Sequence, residues 1–320
     1  MQRYDRPTRE RVVAAVEQAR ERSGWALEDS LRALGIASST YFAWSHKPDG
    51  PHWQTVFSRR KPLLEEVAAV RAFALRHPTD GYRRLTWMMV DQDIVALPEP
   101  SVYRILRAAG LNRRWTRSLD EGGVRPMPPT QPDEQWHSDI MYLWVNGRWY
   151  FFVAILDAYS RYIVHWDLLL SMTGADISGV LRRALELTPD ARPRIVHDRG
   201  SQFTGRDFRA VIKAFALQDI TIRVHHPQSN GVYERFNGST RQEGLRDTQL
   251  RDLQHARAVL ARWVEAYNTR RLHSALGFLP PIEYYRGEPE ARQTERRSKL
   301  EAALKRRIQI NQTRQDLQVA

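Results

Sequence analysis

The chain has 320 residues, of which 42% are hydrophobic and 27% charged, and its formal net charge is +12. It is long enough for two or three small domains with real cores, and its basic balance points to a polyanionic partner, because Lys and Arg displace the counterions around phosphates. There is no cysteine, which excludes disulfides and thiolate-ligated zinc, and no apolar run reaches the length of a membrane span.

The N-terminus, Met-Gln-Arg-Tyr-Asp-Arg, lacks the apolar core of a secretory signal, so a cytoplasmic, nucleoid-associated protein is expected. Val12, Val13 and Val16 recur at helical spacing within Arg11–Ala19. Leu27–Leu34 reads as a second helix with Gly35 as its C-cap, and Ser38-Ser39-Thr40 supplies capping chemistry for a third helix through Trp44. Residues 1–48 therefore read as a helix-turn-helix-like segment, with a generic three-helix cluster as the alternative. A linker follows at Asp49-Gly50-Pro51.

Residues 61–112 read as a second helix-turn-helix-like segment. One helix begins at Gly81-Tyr82-Arg83-Arg84-Leu85; Pro98 to Pro100 interrupt the chain, and Ser101 is placed to cap a last helix to Ala109 that presents Arg104 and Arg107. These arginines, with Arg83 and Arg84, are the expected DNA contacts of this segment. Residues 113–134, basic and then rich in proline, read as an extended linker.

From Gln135 the pattern becomes strand-like. Trp136–Val145, Trp149–Ala158 and Tyr162–Leu170 are rich in β-branched and aromatic residues, and Asn146-Gly147 is a hairpin turn signal. A helix at 175–187, a strand at 194–197, a helix at 208–216, a strand at Thr221–His225 and helices at 231–243 and 250–267 complete a mixed α/β core over residues 135–287. Residues 288–320 read as a charged tail with a short amphipathic helix around Leu300, Ala303 and Leu304.

Three carboxylates stand where this pattern makes a site. Asp139 lies inside the first strand, a costly place for a charge unless it is paired or binds a metal. Asp198 ends the strand Arg194-Ile-Val-His-Asp, and the carboxyl ends of strands in open α/β sheets are where sites form. Glu234 begins a helix. An oxygen-only ligand set of this kind favours Mg²⁺ or Mn²⁺, two ions of which can activate an attacking oxygen and stabilise the leaving oxygen of a phosphodiester. Each carboxylate taken alone also fits a structural place: an edge-strand charge, a turn residue or a solvated helix residue. Asp157, which ends the second strand, reads as a turn cap. His197 and His225 read as packing or hydrogen-bonded histidines.

Asp198 and Glu234 are separated by 35 residues. That spacing after an earlier strand aspartate resembles the DD(35)E signature of retroviral integrases and insertion-sequence transposases. The words His197-Asp-Arg-Gly-Ser-Gln-Phe203 and His226-Pro-Gln-Ser-Asn-Gly-Val-Tyr-Glu-Arg-Phe-Asn237 agree. Tyr267-Asn-Thr-Arg-Arg-Leu-His-Ser-Ala-Leu-Gly277 resembles the segment after the core in bacterial transposases of the orfB type, and 81–106 resembles their helix-turn-helix segment.

The resemblance covers roughly residues 65–285. It implies a ribonuclease H-like core, a mixed five-stranded sheet with flanking helices, preceded by the helical segments. It also implies metal-dependent cutting and joining of double-stranded DNA at the terminal inverted repeats and in the target. Catalysis then falls to Asp139, Asp198 and Glu234. The position of Arg241, two helical turns beyond Glu234, is one that often contacts DNA, with Arg235 and Asn237 beside it; Arg270 and His273 match positions read as structural or DNA-proximal. At least a dimer on DNA is implied, and a companion transposase polypeptide is a possible further partner. Met141 and Val196-His197 depart from the usual family residues without removing a metal ligand. The cysteines of the integrase zinc module are missing, which leaves end recognition to the helical segments. A hydrolytic nuclease and a DNA-binding regulator with a vestigial core are the alternatives.

Overall fold

The computed structural model describes residues 6–45, 59–112, 128–221, 231–246 and 248–319. Contacts divide the chain into two compact units, Met1–Leu63 with Lys305–Ala320, and Leu64–Leu304.

In the first unit, α1 (Arg6–Ser23), α2 (Leu27–Ala33) and α3 (Ser38–Ser45) close on Val16, Leu31 and Tyr41. Gly35 adopts φ +65°, a left-handed conformation that glycine reaches without Cβ strain, so the Ile36 N–H turns back to the Leu31 carbonyl. The third helix starts at Ser38, and its first turn closes from the Tyr41 N–H to the Ala37 carbonyl. The expected caps Ser38, Ser39 and Thr40 therefore lie inside the first turn.

The second unit opens with α4 (Leu64–Arg76), α5 (Tyr82–Asp91) and α6 (Glu99–Ala108), packed around Val70, Phe73, Leu85, Met89, Leu97, Val102 and Leu106. Pro98 and Pro100 start α6 and do not break it. Pro98 holds the N-cap position and Pro100 lies in the first turn, where no helical N–H is needed. Ser101, expected as the cap, is buried inside that turn, and its N–H bonds the Pro98 carbonyl.

Five strands follow: β1 (Gln135–Val145), β2 (Arg148–Asp157), β3 (Ile163–Leu169), β4 (Arg194–His197) and β5 (Gln218–Thr221). Their order in the sheet is β3-β2-β1-β4-β5. The first three pair antiparallel, whereas β4 and β5 add in parallel. The β1–β2 hairpin turns on Asn146 (φ 44°) and Gly147 (φ 80°), the two left-handed residues that a twisted hairpin requires. The fifth strand begins at Gln218, three residues before the expected Thr221, and the rest of the expected strand, 222–225, lies outside the described residues.

Helix α7 (Gly174–Leu187), capped by reciprocal Thr173 and Asp176 bonds, covers one face of the sheet over Trp136, Ile140, Val153 and Ile155. That layer also holds α8 (Ser201–Thr204) and α9 (Arg206–Ala214) through Phe203, Phe208 and Val211. The other face, Met141, Leu143, Phe152, Ala154 and Leu156, packs against α10 (Gly231–Ser239) and α11 (Leu253–Thr269). Strand alternation sends neighbouring residues of β1 to opposite layers, which puts Asp139 on the α10 side. A short helix, α12 (Pro281–Tyr285), then leads to the last element.

Residues 288–320, expected as a tail with a short helix, form α13, a 31-residue helix from Pro289 to Val319. Its buried positions include Arg296 and Arg307. Arg296 pairs with both oxygens of Asp91 at 2.8 and 2.6 Å, donates to the carbonyls of Gly277 and Phe278, and stacks on Trp87. No described helix is long and apolar enough to cross a membrane.

Candidate active site

The parallel ladder pairs His137 with Val196, and both chains run two residues further to reach Asp139 and Asp198. Asp139 is thus still within β1, and Asp198 lies just past the end of the adjacent β4. Asp139 is half-buried, and its Oδ1 accepts the Ile140 N–H at 2.8 Å. Asp198 is exposed and accepts the Gly200 N–H at 2.9 Å. Glu234 is exposed in the first turn of α10. Among the described residues no three acidic or histidine side chains close on one metal-binding point. The fit to a metal rests on donor chemistry: three carboxylates, with the nearby imidazole already engaged.

That imidazole belongs to His197, which is buried, bonds Asp219 through Nε2 at 2.5 Å and the Asp198 carbonyl through Nδ1 at 2.6 Å, and stacks on Phe203. His225 is outside the described residues. Asp157 is also taken: its carboxylate accepts the N–H and hydroxyl of Ser160 and the N–H of Asp133. Burial raises its pKa against the lowering effect of those bonds. It caps the turn into β3.

Beside Glu234 stands Tyr233, a residue that sequence alone does not single out. It is fully buried, and its hydroxyl donates to the Asp139 carbonyl at 2.7 Å while accepting the Ala154 N–H at 3.2 Å. Burial, reinforced by the nearby Asp139 charge, pushes its phenol well above the usual range.

Beyond Ser239 the helix widens into a π turn, Thr240–Gly244. Trp263 donates to the Thr240 hydroxyl at 3.1 Å, and Gly244 lies so close to the Trp263 ring that a Cβ would come within 2.8 Å of it. Glu243 receives two bonds from Arg271 at 2.8 and 2.7 Å and one from Arg84 at 3.5 Å. Burial raises the Glu243 pKa, but the two arginines outweigh it and hold the carboxyl below its usual range. His273, packed edge-on against Tyr267, is lowered to about 2 by burial and by Arg271, Arg84 and Arg161. It is therefore a neutral packing group. The word Tyr267–Gly277 thus buttresses the π turn, and its Asn268 amide pairs with the N–H and C=O of Ile163.

Two family models, both described as "Integrase core domain", match residues 129–227 and 217–281. A Burkholderia multivorans protein, the insertion element IS407 uncharacterized 31.7 kDa protein, is 31% identical over 226 residues, which span 68% of this chain and 80% of that protein. The chain belongs to the insertion-sequence transposases of the retroviral integrase superfamily. The Mycobacterium tuberculosis protein assigned as transposase of insertion sequence element IS986/IS6110 is 25% identical over 274 residues, 78% of this chain and 95% of that protein. Among solved structures, the HTLV-2 integrase catalytic core in complex with magnesium is 16% identical, with a TM-score of 0.40 over 49% of this chain and 98% of that one.

With its integrase-core matches and its β3-β2-β1-β4-β5 sheet, the transposase is a DDE-type polynucleotidyl transferase with a ribonuclease H-like core, in a family that is generally divalent-metal dependent. Of the residues expected to meet DNA, Arg235 is exposed on α10, Asn237 is half-buried, and Arg241 is exposed in the π turn. A π turn advances each residue through a smaller angle than an α-helix, so Arg241 lags behind the face of Glu234 that a regular helix would give it. Arg104 and Arg107 are exposed on α6, and Arg104 also bonds Ser101. Arg83 pairs with Glu99 at 3.3 Å. Arg84 is bound to Asp80 and Glu243, an internal tie that takes it out of the set facing solvent.

Proposed function

We propose that this transposase binds the terminal repeats of its element and catalyses divalent-metal-dependent cleavage followed by strand transfer, in which a freed 3′-hydroxyl attacks a second phosphodiester. The observation that supports this reading is the placement of Asp139 within β1 and Asp198 just past the end of the adjacent parallel strand β4, with Glu234 on a helix fastened at Asp139.

Asp139, Asp198 and Glu234 would hold the ions, and an all-oxygen set suits Mg²⁺ or Mn²⁺. When bound, two such ions increase the nucleophilicity of the attacking oxygen and offset charge on the leaving one. The chain itself supplies positioning. Arg235, Asn237 and Arg241 on the α10 side, and Arg83, Arg104 and Arg107 on the helical segment, bind phosphates and orient the DNA end. Two ends must be held together for joining, so at least a dimer assembles on DNA; a companion polypeptide of the same element remains compatible with this scheme.

The test is strand transfer on terminal-repeat DNA in Mg²⁺ by Asp139→Asn, Asp198→Asn and Glu234→Gln. Each variant binds the DNA and fails to join it. Wild-type joining by all three would overturn the assignment, and cleavage without joined product by the wild type would turn the reading to a hydrolytic nuclease.

A further inference from the structure

We propose that Tyr233 is a positioning residue that couples two of the catalytic carboxylates, its hydroxyl orienting Asp139 while its own peptide carries Glu234. The inference rests on the assignment of Asp139 and Glu234 made above.

The hydroxyl has a specific address. Asp139 and Ala154 are cross-strand partners, and the Tyr233 oxygen takes the N–H of one and gives its proton to the carbonyl of the other. It enters the β1–β2 ladder at the register position that bears the carboxylate. The Asp139 carbonyl and the Ile140 N–H belong to one planar peptide unit. The carbonyl end of that plane is held by Tyr233, and the N–H end donates to Asp139 Oδ1 at 2.8 Å. Tilting the plane moves the hydrogen bond that aims the carboxylate.

On the other side, Tyr233 and Glu234 are consecutive on α10. A helix fixes the rise and rotation between neighbours, so fixing Tyr233 against β1 fixes where the Glu234 side chain leaves the helix. Packing alone does not call for the hydroxyl. The ring lies edge-on to Phe236 at 5.3 Å in a cluster with Phe152 and Leu260, where phenylalanine would serve. A buried hydroxyl is unfavourable unless bonded, and this one is bonded at the site.

The experiment uses the full chain with Tyr233→Phe, which keeps the ring and removes the link. Three quantities are read: Mn²⁺ binding to the protein–DNA complex by electron paramagnetic resonance, the Mg²⁺ dependence of strand transfer, and affinity for terminal-repeat DNA without divalent metal. Groups that orient metal ligands typically change metal affinity by roughly 10- to 100-fold when lost. The expected result is Mn²⁺ affinity and half-saturating Mg²⁺ shifted by about that factor, with DNA affinity unchanged. Phe236→Leu, which trims the same apolar cluster while keeping the hydroxyl link of α10 to Asp139, leaves the metal dependence at the wild-type value.

Wild-type Mn²⁺ affinity and Mg²⁺ dependence in Tyr233→Phe would overturn the proposal, as would an equal shift in Phe236→Leu. If Tyr233→Phe does not fold, a fluorinated tyrosine at 233 keeps ring and hydroxyl but makes the O–H a stronger donor, and unchanged Mg²⁺ dependence there also overturns it. Asp139→Asn and Glu234→Gln separate the two levels. Wild-type Mn²⁺ binding by both rejects the carboxylate assignment itself; loss in both with no effect at Tyr233 rejects only the coupling.

Discussion

Two regions of the second unit handle charge in opposite ways. Around Arg296, 2% exposed in its side chain, the protein satisfies the guanidinium itself: both Asp91 oxygens, two main-chain carbonyls and the Trp87 ring surround it. Among the described residues at the carboxyl end of β4 and the start of α10, Asp198 accepts a single N–H, and Glu234 is exposed and outside any ion pair. A charge that holds the fold has its bonding capacity used up internally. On the proposed function, Asp198 and Glu234 keep lone pairs open for a ligand.

The contrast can be broken by substitution. The largest effect on chemistry comes from Asp139→Asn, Asp198→Asn or Glu234→Gln: strand transfer falls on the order of a thousandfold or more, while the melting temperature holds or rises. A marked loss of stability in all three would erase the distinction. Asp91→Ala shows the converse, because it strands a buried guanidinium; unfolding by urea should report a loss of about 3–5 kcal/mol.

A middle case is Glu243→Gln, expected to reduce stability by about 1–2 kcal/mol at neutral pH. Since the arginines depress the folded-state pKa of Glu243, its contribution is present above the ordinary carboxylate range and is lost as pH falls through the folded value. Melting curves of wild type and variant should therefore converge in acid, and a gap that persists at low pH would show that the ion pair is not its source. The smallest effect belongs to Arg183→Ala. Its bridge to Glu186, at 3.5 Å, joins side chains 65% and 49% exposed, and its loss should change stability by less than about 0.5 kcal/mol.

Legibility in the sequence followed the same division. Apolar periodicity and turn chemistry are local signals, so the hairpin at Asn146-Gly147, the strand 194–197 and α7 were all readable. The C-terminal helix was not, because part of its buried side is arginine, and a search for apolar spacing reads arginine as solvated. The start of the fifth strand was missed because Thr221-Ile-Arg-Val carries the β-branched signal, whereas pairing already begins at Gln218.

At the site, residue types and the 35-residue spacing named the carboxylates and, through the family resemblance, the fold around them. Tyr233 stayed hidden because an aromatic next to Glu234 looks like core until the partner of its hydroxyl is known. The tie of Arg84 to Glu243 was invisible because the two are 159 residues apart.

The Asn268 amide bears on how the sheet is kept from pairing with a foreign strand. β3 is an edge strand, and such edges offer unpaired main-chain groups to any extended segment that approaches. Here α11 reaches that strand near both ends: Asn268 takes the N–H and C=O of Ile163, and Arg257 takes the Leu168 carbonyl. A visiting strand would have to displace both side chains before it could zip on. That border of the sheet is guarded at both ends, and an extended segment approaching β3 meets side chains there before it meets main chain.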